Sequence, residues 1–188
     1  KRYKINTDLS SRVGSFNPWW NQTADDEMRM TQFKKAMECV GKELVSSILF
    51  LYKGWLPARD IVANAIKNRF EIHKSGQVLK LSQYCPWIEH FYEIHSVTPI
   101  DPLPVYTLFQ DTKGGWRIRA VPIAVGSFDN IKPLPDIWCG KRSDELDQIC
   151  GIKECVFVHA SGFIGGNKTY DGALTMAEKA LEYKCQEK

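Results

Sequence analysis

The stretch VFVHASGFIGGNKTY, residues 156–170, holds the densest set of groups able to do chemistry. An apolar run leads into Gly162, two more glycines follow at 165 and 166, and Asn167, Lys168 and Thr169 come before a helical pattern. A strand that ends in glycines and opens a helix presents unpaired backbone N–H groups, and with the helix dipole these attract an anion. Glycine suits such a place because a Cβ would hold a phosphate away from the backbone. His159, Ser161 and Lys168 add hydrogen-bonding or positive side chains, and Thr169 stands where a helix N-cap belongs. Asp171, in the first helical turn, opposes an anion there. The spacing matches neither the P-loop nor the GxGxxG fingerprint. Two readings stay open: an anion site, or glycines that let a strand and a helix pack closely.

A second cluster lies in NTDLSSRVGSFNPWWNQ, residues 6–22, where Asp8, Arg12, Asn17 and Asn21 surround two adjacent tryptophans, Trp19 and Trp20. Arg12 either forks onto a phosphate or pairs with Asp8 while a tryptophan docks in a groove. Elsewhere the signals are weak. His90 and His95 are five residues apart, the wrong interval for two ligands on one helical face. No GxSxG elbow is present. Six scattered cysteines, with no CxxC pair, read as free thiols of a protein inside a cell.

The elements that must position these groups follow from periodicity. Phe33, Met37, Val40, Leu44, Ile48, Leu51 and Trp55 recur every three or four residues and predict one long helix. Pro57 ends or kinks it and opens a second helix through Ile66. Residues 70–73 and 78–81 flank KSGQ, a hairpin signal, and a stronger one joins VYTLFQ to WRIRAVP through DTKGG. Pro86 opens a brief helix, and Ser143 is placed as the N-cap of SDELDQIC. Long helices followed by hairpins predict an α+β fold with a mixed, mostly antiparallel sheet and flanking helices. The net charge of +3 is too mild to announce a nucleic-acid binder. No apolar run approaches the roughly 20 residues of a membrane span. Lys1 rather than Met opens the sequence, so the parent protein is expected to begin earlier.

The blocks TDLSSRVGSFNPWWN, WLPARDIV, GGWRIRAVP, LPDIWCGKRSDELDQICGI and FVHASGFIGGNKTYDGALTMA together carry a resemblance. In this order they resemble the C-terminal part of the Myg family, named after the melanocyte proliferating gene. These are DHH-type exonucleases, once listed as metal-dependent protein hydrolases. The resemblance implies a substrate-binding half of a metal-dependent 3′–5′ RNA exonuclease of the DHH phosphoesterase superfamily. Residues 1–68 correspond to the tail and connecting helices of the DHH-like metal domain, and 69–188 to a DHH-associated, substrate-binding domain. Mn²⁺ or Mg²⁺ belongs to the intact parent, with ligands in an N-terminal metal domain this chain lacks, so the chain alone is expected to be inactive. Implied partners are single-stranded RNA or nucleotides and the parent's own metal domain, in the nucleus or mitochondrion. The substrate-binding residues expected are His159, Ser161, Gly162, Gly165, Gly166, Asn167, Lys168, Thr169 and Arg12. In many such domains a His follows the glycines; Asn167 stands there instead. The alternatives are a phosphodiesterase of short nucleotides in the same superfamily, or a non-catalytic binding or scaffold module.

Overall fold

The computed structural model describes residues 7–184; Cys185 lies outside them. The chain divides into two compact units, 1–56 and 57–188. In the first, Asp8 caps helix α1 (Leu9–Gly14) by accepting the Ser11 N–H. Helix α2 (Asp26–Phe50) starts at Asp25, which accepts from Met28 N–H, with Asp26 and Glu27 at the positive end of the dipole. It runs into a single π-helical stretch, Leu51–Trp55. This is the long helix that the spacing predicts. Its stripe is nonetheless open: Phe33, Met37, Leu44 and Ile48 are each more than half exposed, and Ala36 is the buried residue of α2. Trp19 and Trp20 are exposed as well, so neither is docked in a groove of this unit.

The second unit begins with α3 (Ala58–Lys67), directly after Pro57, then α4 (Arg69–Ile72) and strand β1 (Val78–Lys80). Next come α5 (Trp87–Val97), β2 (Tyr106–Gln110), β3 (Trp116–Ala120), α6 (Ser143–Cys150), β4 (Cys155–Val158), β5 (Ile164–Asn167) and α7 (Tyr170–Glu182). The five strands form one sheet in the order β1-β2-β3-β5-β4. Only β1 and β2 run parallel; the remaining pairs are antiparallel. The mixed, mostly antiparallel α+β fold is therefore present, and so is the hairpin around DTKGG.

Three local readings differ. There is no hairpin around KSGQ, because residues 70–72 close a helical turn in which His73 N–H donates to the Arg69 carbonyl. A short apolar run satisfies helix and strand equally, and β1 instead finds β2 in parallel. Ser143 is the first helical residue of α6, and Arg142 takes the N-cap position. Finally, the glycines at 165 and 166 lie inside a strand rather than in a turn.

Each sheet face carries its own core. Tyr106, Leu108, Ile118 and Val158 pack with Ala173, Met176, Ala177 and Ala180, residues that share one side of α7. On the opposite face Leu79, Phe109 and Val121 pack with Val62 and Ala65 of α3 and Trp87 and Phe91 of α5. Farther across this second face, Arg117, Arg119 and Ile164 line an open cavity.

Candidate functional site

Strand β3 reads Trp-Arg-Ile-Arg-Ala, and alternation sends Ile118 and Ala120 into one core and both arginines to the other face. In the ladder Arg117 is opposite Gly166 and Arg119 opposite Ile164. A Cβ at position 166 would collide with Arg117 Nη1 and come within 3.0 Å of the Trp116 carbonyl oxygen. Gly166 is thus the residue that lets the Arg117 guanidinium lie down on the sheet. Arg117 is ion-paired with Asp111, donates to the Trp116 carbonyl at 3.3 Å, and stands 5.4 Å from the centroid of the Phe157 ring. Its charge is largely matched.

Arg119 is placed differently. Its guanidinium carbon is 5.9 Å from the ring centroids of both Trp87 and Phe163. Among the described residues it has no hydrogen bond or ion pair. Two aromatic faces hold a permanent cation whose N–H donors remain available. Both arginines line a cavity of about 720 Å³ together with Tyr84, Phe109, Asp111 and Ile164.

The residues expected from sequence are divided between this face, the first core and the other unit. His159 and Ser161 occupy the turn between β4 and β5, where His159 meets the Phe163 ring edge-on at 4.8 Å. Ser161 N–H donates to His159 Nδ1 at 3.2 Å, so the neutral ring carries its proton on Nε2. Gly162 closes that turn at φ +69, and a Cβ there would stand 3.1 Å from the Leu134 carbonyl oxygen. Gly165 faces the first core, 3.0 Å (for an added Cβ) from a Val158 methyl. Lys168 is exposed at the end of β5, and Thr169 caps α7 by accepting the Gly172 N–H at 3.1 Å.

The backbone around the glycines is occupied. Strand β5 is flanked on both sides, so Gly165 and Gly166 serve the ladders. Lys168 N–H donates to the Glu154 carbonyl at 3.0 Å, and Thr169 N–H to Asn167 Oδ1 at 2.9 Å. Asn167 is fully buried, and its Nδ2 donates to the Lys153 carbonyl at 2.8 Å. The bare amides that a strand–turn–helix junction would offer are not there; a clamp made by Asn167 stands in their place. Arg12 sits in the first unit, where it donates to Glu43 at 2.5 Å and to the Thr7 carbonyl at 2.6 Å. Asp8 caps α1 and is not its partner.

Sequence reasoning missed Arg117, Arg119, Asp111 and Tyr84. The signal was present, since two arginines separated by one apolar residue in a strand must share a face. The described cysteines are free thiols. Burial, reinforced by contact with Cys150, pushes the Cys155 thiol well above its usual range, and burial pushes Cys85 up to about 11. Among the described residues no group of three or more His, Cys, Asp or Glu side chains is placed to hold a metal ion. No helix among them is long and apolar enough to cross a membrane.

The family model MYG1_exonuc, described as an uncharacterised protein family (UPF0160), matches residues 1–181. The chain belongs to the MYG1 family. Within it, this MYG1-family chain is 47% identical to the MYG1 protein of Dictyostelium discoideum over 96% of its own length and 55% of that protein. It is 42% identical to the MYG1 exonuclease of Homo sapiens, over 96% of this chain and 48% of the human protein. It is 41% identical to the MYG1 exonuclease of Mus musculus, over 96% and 47%. The chain thus spans about half the length of the MYG1 relatives it matches. No solved structure matches it.

Proposed function

We propose that this chain is the substrate-binding half of a metal-dependent 3′–5′ RNA exonuclease of the DHH phosphoesterase type, working in the nucleus or mitochondrion. Single-stranded RNA crosses the sheet face built by β3 and β5. The observation that carries this reading is Arg119, a cation braced by Trp87 and Phe163 whose donors meet no acceptor among the described residues. A phosphodiester is the ligand such a group fits, because the guanidinium offers a planar fork to two phosphate oxygens. His159 and Ser161 extend the path at one end of β5, and Lys168 at the other. Gly166 keeps the strand low beneath the chain, while Gly162, Gly165, Asn167 and Thr169 hold the surrounding backbone in shape. Arg12 is a further phosphate contact in this reading only if its pairing with Glu43 opens.

Among the described residues no three His, Cys, Asp or Glu side chains are grouped to hold a catalytic metal; in this reading Mn²⁺ or Mg²⁺ and its ligands belong to the other half of the whole protein. No chemical step is assigned to side chains of this chain. The test is nucleotide laddering of 5′-labelled RNA by the whole protein, with Mn²⁺ and with EDTA. Stepwise shortening from the 3′ end that EDTA abolishes, with none from the 188-residue chain alone, is the expected result. Preference for dinucleotides over long RNA would assign the short-nucleotide phosphodiesterase instead. Absence of any cleavage would leave a binding or scaffold module.

A further inference from the structure

The cavity beside Arg119 has a feature that phosphate binding does not require. Tyr84 stands in the loop after β1 with 59% of its surface exposed, and its inner side rests on Phe109 at a centroid distance of 5.0 Å and 46°. The ring is therefore partly backed by the core, and it lines the cavity while more than half of its residue surface stays open. A flat apolar partner that covers an exposed aromatic ring at the mouth of a cavity removes apolar surface from water and is favoured for it. The same cavity is lined by Arg119, which has no ion pair among the described residues, and by Arg117, whose charge Asp111 already matches. Its polar rim includes Gln83 and Gln110.

From this juxtaposition we infer that the cavity is a nucleotide pocket: an unpaired nucleobase stacks on Tyr84 while its phosphate bridges to Arg119. The inference rests on the proposed function and adds where a base is held and by what. The volume of about 720 Å³ is ample for one nucleotide. Stacking tolerates any base because every base has a π-face, whereas a base inside a duplex has both faces covered by its stacked neighbours. The amide groups of Gln83 and Gln110 are the means by which one base edge would be preferred over another. Asp111 keeps the second cation from competing for the phosphate, so phosphate position and base position are set by different residues.

The experiment uses the 188-residue chain and a short single-stranded RNA carrying one 2-aminopurine, a base whose fluorescence falls on stacking. Wild type quenches the probe. Tyr84→Ala removes the quenching and weakens binding at least roughly fivefold, while Tyr84→Phe retains both. Because Tyr84 is mostly exposed, Tyr84→Ala is expected to keep the wild-type thermal midpoint. If RNA binds in an Arg119-dependent way but Tyr84→Ala leaves quenching and affinity unchanged, the base pocket is wrong and the RNA-binding face stands. If RNA does not bind at all, the pocket and the face fall together.

Discussion

The guanidinium of Arg117 lies against the bare Cα of Gly166, and that contact ties the glycine-rich strand to the arginine-bearing one. It also converts an apparent phosphate turn into a shaped sheet surface. Several consequences of this arrangement can be measured.

Gly166→Ala should lower stability by about 1–3 kcal/mol, the usual cost of overfilling a packed site. The added methyl must displace Arg117 and also crowds the Trp116 carbonyl at 3.0 Å, which cannot swing away. Combining Gly166→Ala with Arg117→Ala should cost less than the sum of the single changes, since one variant removes the obstacle the other meets. Strict additivity in denaturant midpoints would show that the two residues do not interact.

Asn167→Ala should also cost about 1–3 kcal/mol, because it removes the fully buried amide that donates to the Lys153 carbonyl and accepts from Thr169 N–H. Its effect on RNA affinity, measured well below the unfolding midpoint, should be small. A large loss of affinity with unchanged stability would return Asn167 to the ligand.

Lys168→Glu should weaken binding of single-stranded RNA at low salt, by placing an anion beside the path of the phosphates. His159→Ala should weaken it less, because Nδ1 is already engaged by the Ser161 N–H and the ring has only Nε2 left for a ligand. Equal affinities for both variants and wild type at low salt would remove β5 from the path.

Burial raises the Cys85 thiol from 9.0 to about 11. The folded state therefore keeps its proton to higher pH than the unfolded state, and the stabilisation is complete below about pH 9 and lost as pH rises through about 11. Unfolding midpoints should fall over this window, and Cys85→Ala should make the fall shallower. Tyr106 and Cys155, which burial also shifts upward, keep it from disappearing. An identical decline in the variant would count against a shifted thiol.

Much of the architecture could be read before the structure. The interval of three and four residues from Phe33 to Ile48 gives α2, and the two glycines of DTKGG give the β2–β3 hairpin. What periodicity could not supply was what lies against an element, so the exposure of Phe33, Met37 and Leu44 was invisible to it. Strand β5 was hidden because Gly-Gly-Asn has poor strand propensity, and only its neighbours β3 and β4 make it a strand. Of the candidate site, His159 and Ser161 were chosen from residue type, and they lie in the turn beside Phe163. Arg119 was not, since its importance depends on two rings, Trp87 and Phe163, that are far from it in sequence.

The central claim is that the β3–β5 face grips the phosphates of single-stranded RNA through Arg119. The most direct measurement is the affinity of the 188-residue chain for a labelled single-stranded RNA across a salt series, for wild type and Arg119→Gln. The account predicts binding that weakens with salt, and a substitution that lowers affinity and reduces the log–log salt slope by about 0.7, one phosphate contact on a single strand. An unchanged slope and affinity in Arg119→Gln, with RNA still bound, would contradict it.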